Sequence, residues 1–148
     1  MKVQELKSEP DASARRLLVV LAKQEEVCQA LKELAVKERL GTARITAVGG
    51  FAKATLGYFD RERRSYTPIA VPEQAEVLSL LGDIAEGADG KPAVHLHAIL
   101  GRPDGTTRGG HLLEGHVWPT LEAVIDTSPR HLRKRIDPET GLALFEAT

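Results

Sequence analysis

Apolar and polar residues are patterned in two different ways along this chain, and the first pattern covers residues 15–48. Residues 15–22 (RRLLVVLA) form a short run rich in branched apolar side chains, which is typical of a buried strand. Residues 24–40 carry apolar side chains at helical spacing, and residues 42–48 (TARITAV) alternate as a strand does. This part of the sequence therefore predicts a strand, a helix and a second strand.

The second pattern consists of short alternating segments separated by turn-forming residues. Residues 54–59 and 65–71 flank the polar tip DRERR and predict a hairpin. Residues 94–100 and 111–117 flank GRPDGTTRGG and predict a second hairpin, after which residues 121–125 can add another strand. Many short strands broken by turns favour a largely antiparallel sheet.

Composition and charge limit the classes of protein to consider. The chain has 148 residues, of which 42% are hydrophobic and 28% are charged, as in an ordinary globular domain. We predict one domain over residues 15–148, preceded by a disordered or loosely held tail at residues 1–14. The formal net charge of -1 provides no global attraction to nucleic acid or to an anionic membrane.

The sequence also predicts the cellular compartment of the protein. The single cysteine, Cys28, cannot form an internal disulfide, and no apolar run reaches the roughly 20 residues of a membrane span. The first residues, MKVQELKSEPDAS, lack the apolar core of a signal peptide. We therefore expect a cytoplasmic protein without a membrane partner.

Four of the five histidines lie within residues 94–120, and three of them fit a metal site. His95 and His97 project from the same face of their predicted strand, and the following hairpin returns His111 beside them. Three imidazoles that meet at one point suit zinc, with a fourth position left for water. Nickel, cobalt or iron would also fit these donors. The spacing therefore predicts one divalent metal per chain, with zinc the first choice.

Two further polar residues follow on the same predicted strand. Alternation puts Glu114 and His116 on the face opposite to His111, unless a bulge at the two preceding glycines shifts the register. We predict that they support the metal ligands through hydrogen bonds or have a purely structural role.

The histidine region resembles a known family, the plant and prokaryote conserved (PPC) domain, which also occurs in plant AT-hook nuclear proteins. The resemblance rests on VHLHAILGRPDGTTRGGHLLEG, with WPTLEAVI downstream and AEVLSLLGDIA upstream, and it runs from about Arg15 to Phe145. It implies an α+β fold: a mostly antiparallel sheet with a few packed helices, assembled as a homotrimer. It further implies that stand-alone members can hold a metal on the residues that match His95, His97 and His111.

The resemblance also decides between two structures for the segment PEQAEVLSLL at residues 72–81. Propensity alone favours a helix there, because Pro begins the segment and Glu, Ala and Leu follow. In the PPC family the matching residues form a strand, so we predict a strand over Glu76–Leu81. Plant members contact transcription factors through this region, but residues 72–75 differ from the plant Gly-Arg-Phe, so the resemblance does not carry that protein contact over.

DNA binding is the function most often connected with this family. The plant AT-hook places Arg-Gly-Arg-Pro in the minor groove, whereas this chain has only Gly101, Arg102 and Pro103, followed by Asp104. Two basic clusters are better candidates for nucleic-acid contact, and their members are Arg61, Arg63, Arg64, Arg130, Arg133, Lys134 and Arg135. The alternative is that both clusters are ordinary solvated surface.

Two classes of function follow from these residues. The first is a metal-binding module with a regulatory or DNA-associated role. The second is a metal-dependent enzyme that activates a water at the open position for attack on a small molecule. The nearest carboxylates in sequence are Asp104, Glu114 and Glu122, and no spacing ties them to the metal. A cupin-like site also has a His-x-His strand, but it expects a glutamate where this chain has Gly101 and Arg102. We therefore favour the binding module.

Overall fold

Strands account for most of the chain. The structure, a computed structural model, describes residues 1–6 and 14–146. Within these residues there are nine strands and one helix. Their bounds in chain order are β1 (Lys2–Leu6), β2 (Arg16–Leu21), α1 (Val27–Lys37), β3 (Ala43–Asp60), β4 (Ser65–Val71), β5 (Ala75–Glu86), β6 (Pro92–Gly101), β7 (Thr107–Thr127), β8 (Lys134–Ile136) and β9 (Ala143–Phe145).

Helix α1 begins at a side-chain cap and buries one face. The Glu26 carboxylate accepts hydrogen bonds from the backbone N–H groups of Cys28 and Gln29, which have no partner within the helix. The helix packs against β6 and β7. Its buried side chains recur at helical spacing, as the sequence predicts, and are Val27, Ala30, Leu31, Leu34 and Ala35.

Four of the strands pair in a closed circuit. β3 pairs with both β5 and β7, β5 pairs with β6, and β6 pairs with β7, all in antiparallel orientation. Strands β2 and β1 extend the sheet from β7, and β4 pairs with the second half of β3. Together with α1 these strands supply the largest fully buried side chains, which include Phe51, Ile45, Leu56, Leu80, Ile84, Leu96, Leu100 and Leu121. A closed circuit leaves no free edge along its strands and fixes the register of each one.

Most of the predicted elements are confirmed, and some are longer than the pattern indicated. Glu76–Leu81 lies within β5, so the strand predicted against helix propensity is correct. The segments predicted on either side of residue 50 are one strand, β3, whose pairing with β5 shifts register between Ala47 and Gly49. The few packed helices of the prediction are corrected to one, α1, among the described residues.

The predicted loose tail needs a correction at its beginning. Residues 2–6 form β1, which pairs with β2 so that Val3 lies opposite Val19. The N-terminal ammonium also lies 2.6 Å from the Glu25 carboxylate. β1 is an exposed edge strand that backbone hydrogen bonds hold to β2. Its sequence therefore lacks the alternating apolar residues from which a strand is predicted. The rest of the predicted tail, residues 7–13, lies outside the described residues.

Helix α1 has 11 residues, and no described helix is long and apolar enough to span a membrane.

Candidate metal centre

Strand alternation and a short hairpin bring three histidines together. His95 and His97 leave β6 on one face, whereas Leu96 and Ala98, on the other face, are buried in the core. The hairpin from β6 to β7 places His111 directly opposite His97. The structure thus brings together the three residues that the sequence selected as ligands.

The three rings face one another closely. The Nε2 atoms of His95 and His97 are 3.1 Å apart, and two zinc ligands in a tetrahedral site are separated by roughly 3.3 Å. The ring centroids of His95 and His111 are 5.1 Å apart, and those of His97 and His111 are 5.4 Å apart. One ligand atom from each ring lies within 4.8 Å of the other two. A single cation fits between donors at these separations.

A carboxylate and a buried lysine support His95. The Nδ1 atom of His95 lies 3.4 Å from the carboxylate of Asp83, its cross-strand neighbour on β5. The other oxygen of Asp83 forms an ion pair with Lys134, whose side chain is only 3% exposed. Burial acts to raise the pKa of Asp83, but hydrogen bonds from His95 and Lys134 hold that pKa below its ordinary value. A charged Asp83 orients His95 so that Nε2 faces the other two rings.

An aromatic ring covers His111 on its other side. Tyr66, from β4, stacks on His111 with ring centroids 4.6 Å apart and an interplanar angle of 22°. This contact needs a glycine at position 57, the partner of His111 on β3. A Cβ atom there would lie 2.8 Å from Cδ1 of Tyr66. Burial raises the pKa of the Tyr66 hydroxyl.

The charge state of the rings suits a metal. Burial, together with the nearby His95, His97 and Lys134, lowers the pKa of His111 to about 4. Burial and the neighbouring His95 also lower the pKa of His97. His111 is therefore neutral at pH 7, and a metal ligand must be an unprotonated imidazole.

One ring nitrogen of the cluster has no hydrogen-bond partner in the part of the chain that the structure describes. Nδ1 of His111 is buried, and among the described residues no group hydrogen-bonds to it. A buried polar atom without a partner is costly, and bound ions or waters are the usual explanation. Neutral imidazoles are a donor set that suits zinc. On both grounds, the residues fit a divalent ion.

The two other polar residues predicted on β7 pair with each other. Nε2 of His116 lies 2.5 Å from a Glu114 carboxylate oxygen. Both side chains line a separate surface depression with Lys53 and Thr55. The groups that contact the three histidines are instead Asp83 and Tyr66, which the sequence reasoning missed.

One predicted nucleic-acid contact is corrected by its burial. Lys134 is 3% exposed and is held by Asp83, so its ammonium cannot reach a phosphate on the surface. Its neighbours are exposed but already paired: Arg133 lies 2.9 Å from Glu86, and Arg135 lies 2.7 Å from Glu146. Lys134 is the buried residue of β8, whereas the arginines on either side of it are exposed.

The remaining basic candidates are exposed. Arg61, Arg63 and Arg64 occupy the tip between β3 and β4, and Arg130 precedes β8. Arg63 lies 3.7 Å from Asp60, while Arg61 and Arg64 form no ion pair within the described residues. The tip therefore presents positive charge to solvent.

A cavity of about 220 Å³ opens beside the histidines. His95 and His111 form one side, and the hairpin of β8 and β9 forms another. The other lining residues are Tyr66, Ala93, Val94, Lys134, Leu142, Ala143 and Leu144. The cluster is thus reachable by a small molecule.

Comparison with known families finds a match over most of the chain. The model of the Plants and Prokaryotes Conserved (PCC) domain, which is the PPC family, matches residues 9–129. A curated relative, the bifunctional protein GlmU from Synechococcus sp. (strain JA-3-3Ab), is 30% identical over 135 residues. The alignment covers 89% of this chain but only 20% of that relative, so this chain spans about one fifth of its length.

Solved structures share the whole fold. A plant- and prokaryote-conserved protein from Pyrococcus horikoshii is 28% identical, with a TM-score of 0.84, over 99% of this chain and 96% of its own. The metal-containing protein AF0104 from Archaeoglobus fulgidus is 30% identical, with a TM-score of 0.82, over 89% of this chain and 93% of its own. A protein from Ralstonia eutropha JMP134, provisionally named a DNA-binding protein, is 27% identical, with a TM-score of 0.83, over 97% of this chain and 96% of its own.

Proposed function

Since the chain belongs to the Plants and Prokaryotes Conserved domain family, we propose that it is a metal-binding regulatory module in which three histidines hold one divalent ion per chain. The ligands are His95, His97 and His111, and zinc is the ion that their neutral nitrogens suit best. The observation that carries the proposal is the convergence of one nitrogen from each ring within 4.8 Å of the others. The similar protein from Archaeoglobus fulgidus, which is metal-containing, supports it.

Elemental analysis tests this proposal directly. The chain is purified without chelators or an affinity tag that binds metal, and its metal content is measured by mass spectrometry against protein concentration. We expect about one equivalent of zinc per chain, removable by a chelator and restored by added zinc. Protein that stays metal-free in the presence of excess zinc at neutral pH would rule the proposal out.

We further propose that three chains assemble, as the family resemblance implies, and that they do so through an exposed apolar face of the sheet. Val48, Leu78, Leu81 and Ile99 are between 48% and 56% exposed. The first three line one shallow depression together with Val124. A contiguous apolar patch on a domain surface marks an interaction site. Leu81 is also the cross-strand partner of His97, so this face adjoins the metal centre.

A charge placed on this face is expected to separate the chains. Leu78→Asp puts a carboxylate where a partner would exclude water, which disfavours assembly. Light scattering after size exclusion should give the mass of three chains for the natural protein and of one chain for the variant. Val36→Asp is the matched control, because Val36 is 64% exposed on α1 and lies outside the face. A natural protein that is monomeric at micromolar concentration contradicts the assembly.

DNA association is the second candidate function, and the exposed arginines between β3 and β4 favour it. Contacts with phosphates are electrostatic, so binding should weaken steeply as salt rises. At physiological salt we expect a dissociation constant of about 10⁻⁴ to 10⁻⁶ M. We expect the double substitution of Arg61→Glu and Arg64→Glu to abolish a gel shift seen at low salt. Lys32→Glu with Lys37→Glu, on the exposed side of α1, makes the same change in charge and should leave it intact. If both double variants lose the gel shift equally, binding depends only on net charge, which contradicts a DNA contact at this tip.

A further inference from the structure

The charges around the histidine cluster do not balance once a divalent ion is present. The three donors are neutral side chains, and Asp83 is the one carboxylate in contact with them among the described residues. Lys134 already matches the charge of Asp83. The two positive charges of the ion therefore have no counterpart in a site partly removed from water, which favours an anionic ligand.

Lys134 gives the cavity a further point of attraction for an anion. Its ammonium is almost wholly buried, and it lines the cavity beside His95 and His111. An ammonium has three donors, and within the described residues Asp83 is the group that forms an ion pair with it. The Phe145 ring, with its centroid 4.7 Å from Nζ, offers no hydrogen-bond acceptor of that strength. An anion in the cavity can accept from the remaining N–H groups.

The walls and the volume of the cavity limit the rest of the ligand. Apart from the histidines, Lys134 and Tyr66, the lining is apolar and consists of Ala93, Val94, Leu142, Ala143 and Leu144. A volume of about 220 Å³ corresponds to roughly seven water molecules. Such walls stabilise a short hydrocarbon body, because burying apolar surface is favourable. An inorganic anion would leave them without a contact.

We propose that this cavity binds a small organic carboxylate with a short branched or linear apolar body. The carboxylate lies at the end lined by the histidines and Lys134, and the hydrocarbon body packs against the β8–β9 hairpin. The inference rests on the proposed metal site, because the ion supplies the charge that the carboxylate matches. It goes beyond the metal site by assigning the cavity a class of organic ligand, which the binding of the ion alone does not require.

Protein loaded with cobalt(II) provides a probe that separates the two proposals. The visible absorption of bound cobalt first reports whether the histidines hold an ion. Titration with 3-methylbutanoate is then expected to change that spectrum and to saturate. Acetate lacks the apolar body and should bind at least about tenfold more weakly. The neutral isostere 3-methylbutanamide should not saturate, because it lacks the charge.

Two variants of the hairpin test whether the ligand occupies the cavity. Leu144→Asp places a carboxylate on the cavity wall and is expected to weaken binding of 3-methylbutanoate at least about tenfold through like-charge repulsion. Ile136→Asp makes the same kind of change on the same hairpin, at a position that is 57% exposed and does not line the cavity. This control should bind both cobalt and the ligand as the natural protein does.

The outcomes distinguish the two proposals. If no carboxylate alters the cobalt spectrum, the inference is overturned and the metal site stands. The same holds if acetate and 3-methylbutanoate bind with equal affinity. If the Leu144→Asp variant binds 3-methylbutanoate as tightly as the natural protein, the ligand does not occupy this cavity and the inference is overturned. Failure of cobalt to bind overturns both proposals, since the carboxylate needs the ion.

Discussion

Replacing His97 with alanine is expected to remove the bound metal from the protein while leaving the fold intact. The substitution removes one of three ligand nitrogens. Even the loss of a group that only orients a ligand lowers metal affinity about 10-fold to 100-fold. We therefore expect a loss of more than about 100-fold for His97→Ala. Elemental analysis after gel filtration should find less than about one tenth of an equivalent of zinc per chain.

His97 is the best of the three ligands for this experiment because of its position. Its ring is exposed on the outer face of β6, so alanine leaves no cavity in the core, whereas the ring of His111 is half-buried beneath Tyr66. His116→Ala is the matched control, since His116 lies on β7 and pairs with Glu114 away from the cluster. Full zinc content in His97→Ala, or an equal loss in His116→Ala, would contradict the proposed ligand set.

Metal binding should also appear in the thermal stability of these proteins. An ion that binds only the folded state stabilises it by about 2.7 kcal/mol at a concentration one hundred times its dissociation constant. The natural protein and His116→Ala should therefore melt at a higher temperature when zinc is added. His97→Ala should not respond.

The histidine cluster follows from the sequence because its geometry is local. Alternation on one strand sets the spacing of His95 and His97, and a hairpin of few residues brings His111 to the opposite strand. Neither step depends on distant parts of the chain. For the same reason, the hairpin of β3 and β4 was predicted with nearly correct limits.

The groups around the histidines do not follow from the sequence in the same way. Asp83 faces His95 because of the pairing of β5 with β6, and Tyr66 reaches His111 across β3 only because residue 57 has no side chain. Lys134 turns inward from a region whose sequence contains mainly exposed arginines. Each of these contacts joins elements that are distant in sequence, and short patterns do not determine such long-range pairing. β1 was missed for a related reason, since an edge strand needs only backbone pairing.

The residue that most constrains how closely β5 approaches the histidines of β6 is a glycine on β5. Gly82 lies on β5 opposite Leu96, between His95 and His97 on β6. A Cβ atom at Gly82 would lie 2.0 Å from the backbone oxygen of His95 and 2.7 Å from Cδ2 of Leu96. The oxygen belongs to the backbone and cannot rotate away, so a side chain here would force β5 and β6 apart.

Gly82→Ala is therefore expected to destabilise the protein by at least about 3 kcal/mol, the upper end of the range for overpacked interiors. Urea unfolding at a fixed chain concentration measures this change, since an assembly makes the free energy of unfolding depend on concentration. Gly109→Ala is the matched control on the other side of β6, where a Cβ atom would lie 3.5 Å from the Ala98 oxygen, an ordinary contact. It should stay within about 0.5 kcal/mol of the natural protein. Equal free energies of unfolding for the two variants would mean that β5 and β6 do not pack closely at Gly82, and the close approach of Asp83 to His95 would lose its structural basis.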